Sequence, residues 1–67
     1  MVIEFNTDME LEVFYSENQV KPDIEKFTAG TQMDVNVSNE SEVELVTGGV
    51  TFVTKDFWAN VKILQKD

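Results

Sequence analysis

Apolar and polar residues alternate along most of this chain, and the alternation predicts β-strands. Residues 2–5 and 10–15 are strand-like and are separated by a turn-prone Asn-Thr-Asp segment. In the second strand the residues of one parity are Leu11, Val13 and Tyr15. Phe14 has the opposite parity and lies among glutamates, so we expect a half-buried strand with one aromatic residue on its polar face.

The next segment, 16–26, reads SENQVKPDIEK and contains the only proline of the chain. Its polar composition and lack of period-two alternation predict a long loop. Val20 and Ile24 are its apolar residues, and we expect them to fasten the loop to the core.

Two further strands follow the loop. Gly30 precedes the first of them, whose inner face we predict to consist of Met33, Val35 and Val37. A turn at 38–41 leads to the second strand, in which Val43, Leu45 and Thr47 continue the alternation.

Gly48 and Gly49 lie between two β-branched runs and predict a hairpin with a two-residue turn, since such turns need positive φ angles that glycine adopts without strain. This turn sets a register in which Thr47 faces Val50, Leu45 faces Phe52, and Val43 faces Thr54. We therefore predict that Phe52 points inward with Leu45. Val46 and Val53 are then expected on the reverse face.

A short helical segment is predicted before the last strand. Thr54 is a suitable N-cap for a single turn at 55–58, with Asp56 near its amino end. Val61 and Ile63 mark the final strand, and the chain is expected to fray at 65–67.

From about Leu11 to Leu64 these segments together resemble an SH3-like barrel. Residues 25–35 (EKFTAGTQMDV) are similar to its diverging turn and second strand, 48–50 to its distal hairpin, and 54–58 (TKDFW) to its 3₁₀ turn. The resemblance implies an all-β fold: one five-stranded barrel domain over 1–67, with a short 3₁₀ turn before the last strand. Segment 16–26 would be the RT loop.

The match to peptide-binding members of that family is weaker. Their proline-rich ligands bind an aromatic groove supported by a tryptophan and a proline, but the corresponding positions here hold Glu42, Val43 and Thr54. Only Phe57 stands where a groove tyrosine would. Trp58 is expected to cover the core, because a domain this small needs its largest side chain for burial.

Charge is the second informative feature. The chain has 13 acidic residues, five lysines and no arginine, for a net charge of −8. This charge opposes direct binding to nucleic acids and to anionic membranes, and it favours partners with a basic surface. Solubility alone is the simpler explanation of the acidity.

Two sets of carboxylates share strand parity, with neighbours about 7 Å apart along a strand. They are Asp8, Glu10 and Glu12, and Glu40, Glu42 and Glu44. Such spacing is near that of phosphates along a nucleic-acid strand, so mimicry of DNA or RNA is one hypothesis. A solvated outer sheet face is the alternative.

The sequence lacks motifs typical of catalytic, cofactor-binding or metal-binding sites. It contains no cysteine, no histidine, no phosphate-binding glycine loop and no EF-hand loop, so we predict no enzyme activity, cofactor or metal site. The start of the chain does not resemble a secretory signal, and no apolar run approaches the ~20 residues of a membrane span. We therefore expect a cytoplasmic protein.

These observations favour a protein-binding module that modulates or inhibits a basic host protein, of the general type of small acidic proteins encoded by phages and mobile elements. That protein could be one that normally binds nucleic acid, and the host cytoplasm would be the site of action. The alternatives are an assembly subunit, whose barrel edge or Phe57–Trp58 region packs on a second copy, and an SH3-like peptide-binding module. The small core favours a homodimer, whereas the charge opposes one.

Overall fold

A computed structural model describes residues 1–66 of the chain. In this part the fold is all-β apart from one short helix. The elements in chain order are β1 (Val2–Phe5), β2 (Met9–Phe14), β3 (Asp23–Phe27), β4 (Gln32–Asn39), β5 (Glu42–Leu45), β6 (Val50–Phe52), α1 (Lys55–Ala59) and β7 (Val61–Gln65).

All neighbouring strands pair antiparallel, in the order β3-β2-β6-β5-β4-β1-β7. The sheet curls so that Phe5 on β1 stacks on Phe27 at the end of β3, with ring centroids 4.8 Å apart. β1 and β3 lie near opposite ends of the strand order. The backbone of Phe5 also hydrogen-bonds to Gly30 and Thr31 in the β3–β4 connection. The result is a curled half-barrel.

The buried apolar residues form a single cluster inside this curl. They are Ile3, Phe5, Leu11, Val13, Val35, Val43, Leu45, Val53, Phe57 and Val61. The predicted inner faces of β2 and β4 are confirmed in Leu11, Val13 and Val35. Met33 and Val37 pack against the cluster as half-buried residues.

The prediction of five strands is wrong, because the described residues contain seven. The additional pairing comes partly from 16–26, where a loop was predicted and where β3 begins at Asp23. β3 lies at the edge of the sheet, and edge strands tolerate charged residues that obscure the alternation. Val20 and Ile24 do not fasten this segment to the core, since they are 90% and 55% exposed.

The predicted register of the glycine hairpin is also wrong. Val43 pairs with Thr51, and the Leu45 amide donates to the Gly49 carbonyl, so the loop consists of the three residues 46–48. Gly48 has φ +92°, as expected for the left-handed third position of such a loop. Relative to the two-residue turn, the pairing shifts by an odd number of residues, and this reverses the two faces of β6.

The face reversal exchanges the roles of the β6 side chains. Thr51 and Val53 are buried, whereas Phe52, predicted to face inward, is 63% exposed. Val46, predicted on the reverse face of a strand, lies in the hairpin loop and is 67% exposed.

The helical segment lies where it was predicted but is an α-helix of five residues rather than a 3₁₀ turn. Thr54 occupies the N-cap position, yet its side chain makes no capping hydrogen bond. Phe57 belongs to the core and is 4% exposed. Burial of Phe57 therefore fixes α1, which connects β6 to β7, against the core.

Candidate functional site

The outer face of the sheet, opposite the core, carries a group of apolar side chains between acidic ones. Phe14 on β2 pairs with Val50 on β6, and Val50 pairs with Glu44 on β5. Two residues further along each strand, Phe52 pairs with Glu42. The antiparallel register therefore places two phenylalanines and two glutamates on neighbouring positions of one face.

Phe14 and Phe52 contact each other across the strands. Their ring centroids are 6.0 Å apart at an interplanar angle of 65°, an edge-to-face arrangement. Phe14 is half-buried, whereas Phe52 keeps 63% of its surface exposed. A phenylalanine pair on the solvent side of a sheet does not contribute to the core cluster.

These two rings line a shallow groove of about 430 Å³, which we call the aromatic groove. Its other walls include Val50, Tyr15, and the carboxylate-bearing residues Glu17 and Glu42. Among residues 1–66, neither of these two glutamates makes an ion pair or a side-chain hydrogen bond. No lysine lines the groove within the same part of the chain.

Tyr15 lines the groove and is held by side-chain hydrogen bonds. Its hydroxyl donates to the Glu25 carboxylate on β3 and lies 3.4 Å from the Thr47 hydroxyl. The hydrogen bond to Glu25 raises the pKa of Tyr15 above its ordinary value, and the nearby negative charge of Glu25 adds to this effect.

The predicted carboxylate row 40–42–44 is interrupted. Glu42 and Glu44 lie on β5, but Glu40 lies in the β4–β5 turn, next to the irregular pairing at Val37 and Asn39. Glu44 accepts a hydrogen bond from the Asn36 amide at 3.2 Å. Only two carboxylates of this row therefore share the strand geometry.

The other predicted row is shortened in the same way. Glu10 and Glu12 lie on β2, whereas Asp8 precedes the strand and accepts a hydrogen bond from the Ala29 amide at 2.8 Å. Glu10 lies 3.8 Å from the Lys26 ammonium group on β3. Both partners are largely exposed, so this ion pair contributes little to stability.

Two aromatic residues, Phe57 and Trp58, were predicted to bind a partner. Only Trp58 is partly exposed, because Phe57 is buried. Trp58 packs edge-to-face on Phe57 with centroids 4.9 Å apart, and its indole N–H donates to the Glu40 carbonyl at 2.9 Å. It covers the core, as predicted. With Val37 and Ile63 it also lines a second, wider groove of about 880 Å³ beside α1.

From the sequence, Phe52, Val50 and Glu17 were not predicted to lie together in one groove with Phe14. The available signal was Phe14, an aromatic residue with the parity of glutamates. A three-residue hairpin loop at 46–48 would have placed Phe52 on the same outer face as Phe14.

Neither metal-binding clusters nor membrane-crossing helices occur within residues 1–66. No three acidic side chains gather there into a candidate metal site. No helix there has the length and apolar character that a membrane crossing requires.

Comparison with protein-family models, with curated proteins and with solved structures found no match for this chain.

Proposed function

We propose that this chain is a small protein-binding module that uses the outer face of its sheet to bind a basic surface of a partner protein. The observation that supports this most is the distribution of charge. The segment between Lys26 and Lys55 contains no basic residue, and it supplies the central strands β4, β5 and β6. Glu42 and Glu44 therefore stand on a face with no compensating cation on those strands.

Such a face attracts a basic partner over a distance of about one Debye length, roughly 8–10 Å at physiological salt. Electrostatic complementarity of this kind increases the association rate and selects against acidic partners. Binding should accordingly weaken as salt concentration rises. Modulation or inhibition of the partner would follow from occupying its basic surface.

A partner that normally binds nucleic acid is the natural target of this function. Mimicry of a regular phosphate strand has less support, since Asp8 and Glu40 lie outside the strands and each row keeps only two carboxylates. Within this proposal the half-barrel is related to SH3-like barrels, and the protein acts in a host cytoplasm as a phage-type accessory protein.

The test compares two double charge reversals that both change the net charge from −8 to −4. Glu42→Lys with Glu44→Lys alters the outer face. Asp23→Lys with Asp56→Lys is the matched control, because Asp23 pairs with the core-facing Val13 and Asp56 lies on α1, so neither exposed residue belongs to the outer face. A partner captured from nuclease-treated lysate and then purified should lose binding to the first variant and keep it for the second. Equal loss would mean that net charge alone acts.

Self-assembly is the second candidate function, and the wider groove favours it. Trp58 and Val37 line that groove together with Ile63, which lies on the edge strand β7 and is 41% exposed. Edge strands can pair with a second copy. Sedimentation equilibrium tests this candidate: a mass that rises with concentration and returns to the monomer value in Ile63→Lys would support it.

A further inference from the structure

In the aromatic groove two phenylalanine rings and the unpaired carboxylates of Glu17 and Glu42 line the same cavity. Single exposed apolar residues are common on proteins, but a contiguous apolar patch indicates a binding surface. Phe14, Val50 and Phe52 form such a patch by cross-strand pairing and ring contact. The patch lies on the face opposite the core, so core packing does not account for it.

The chemistry of the walls restricts what can occupy the groove. An acidic ligand would be repelled by Glu17 and Glu42, which line it. A purely apolar ligand would cover these two carboxylates without pairing them, and burial of an unpaired charge is costly. The occupant must therefore combine a cation with an apolar stem.

Arginine and lysine side chains have this combination. Arginine fits better, because its planar guanidinium stacks on aromatic rings and also binds carboxylates with two parallel hydrogen bonds. An aromatic face attracts a cation within about 6 Å of its centroid. Phe52 offers such a surface, with 63% of it exposed.

We infer that the aromatic groove receives an arginine side chain of the partner, with the guanidinium against Phe14 and Phe52 and hydrogen-bonded to Glu42 or Glu17. This inference rests on the proposed function, since it names the group by which a basic protein would be anchored. It adds that recognition depends on ring geometry as well as on charge. Lysine is accepted in the same position more weakly.

The experiment uses a short fluorescent peptide of alternating arginine and serine, with matched peptides carrying lysine or citrulline in place of arginine. Citrulline keeps the shape of arginine and removes its charge. Binding is measured by fluorescence anisotropy at low and at physiological salt. We expect the affinity order arginine, lysine, citrulline, with no saturable binding of the last.

Phe52→Leu tests the ring, because it keeps an apolar side chain and removes the π-system. It should weaken binding of the arginine peptide roughly three-fold or more, as expected for an exposed cation–π contact. Ile24→Ala is the matched control, since Ile24 is a 55% exposed residue of the edge strand β3 that does not line the groove. It should bind like the original chain. Far-ultraviolet circular dichroism verifies that both variants fold.

The outcomes separate the two proposals. If Glu42→Lys with Glu44→Lys abolishes binding while Phe52→Leu matches Ile24→Ala, the groove inference is overturned and the proposed function stands. If the original chain binds none of the peptides even at low salt, the groove inference falls, and the proposed function is then decided by the partner capture with the charge-reversed variants. Equal affinity for the arginine and lysine peptides, together with no effect of Phe52→Leu, also overturns the inference.

Discussion

Gly49 on the β5–β6 hairpin lies directly against Val13 on β2. A Cβ at position 49 would overlap Val13 Cγ1 and would lie 2.8 Å from Tyr15 Cε1. The φ angle of Gly49 is not positive, so an unusual backbone conformation is not the reason for glycine at this position. Glycine is needed because two strands approach each other closely there. The contact joins the hairpin to the strand that carries Phe14.

Gly49→Ala should therefore destabilise the fold. Overpacking of this kind costs about 1–3 kcal/mol, which lowers the melting temperature of a domain of this size by roughly 7–20 °C. Thermal denaturation of Gly49→Ala, Val13→Ala and the double variant measures the effect. The double variant should lose less stability than the sum of the single variants, because Val13→Ala makes room for the new methyl group. Simple additivity would contradict the contact.

Thr51 presents the opposite situation, a polar group with no partner. Its side chain is 1% exposed, and within residues 1–66 its hydroxyl oxygen has no hydrogen-bond partner. Thr51→Val removes the hydroxyl at nearly constant shape and should stabilise the fold by about 1 kcal/mol. Urea denaturation measures the change. Thr54→Val, at an exposed position, is the control and should shift stability by less than about 0.5 kcal/mol. A destabilised Thr51→Val would show that the hydroxyl is satisfied in solution.

Tyr15 gives a prediction about pH. It is the only tyrosine of the chain, and its hydrogen bond to Glu25 raises its pKa above 10.0. In the window between about pH 10 and the raised pKa the folded state binds more protons than the unfolded state. The stability from this contact is therefore fully present below about pH 10 and is lost as the pH rises through the pKa of the folded state.

The ultraviolet absorbance of tyrosinate follows this titration directly. Glu25→Gln should move the midpoint down towards 10.0, because it removes the carboxylate that stabilises the protonated hydroxyl. Glu17→Gln, in the neighbouring loop, should leave the midpoint in place. An unchanged midpoint in Glu25→Gln would refute the contact.

The all-β class and the inner faces of β2 and β4 could be predicted from sequence, because alternation of apolar residues directly reports burial of one face. Leu11, Val13 and Val35 illustrate this. The face of β6 could not be predicted, since it depends on whether the hairpin loop has two or three residues. Both loop lengths are compatible with Gly48 at a positive φ angle.

The candidate site was only partly predictable for the same reason. Glu42 and Glu44 were assigned to an outer face from parity alone. Phe52 was placed inward with Leu45, so its contact with Phe14 could not emerge. β3 was missed because its charged residues are compatible with an edge strand and with a loop alike.

The most direct test of the central claim is a nuclear magnetic resonance titration of the isotope-labelled chain with the arginine–serine peptide. Binding on the outer face predicts amide shift changes concentrated in β2, β5 and β6, with the largest at Phe14, Glu42 and Phe52, and with a reduction at high salt. Changes centred on Trp58 and Ile63, or changes that are equally small along the whole chain, would contradict it.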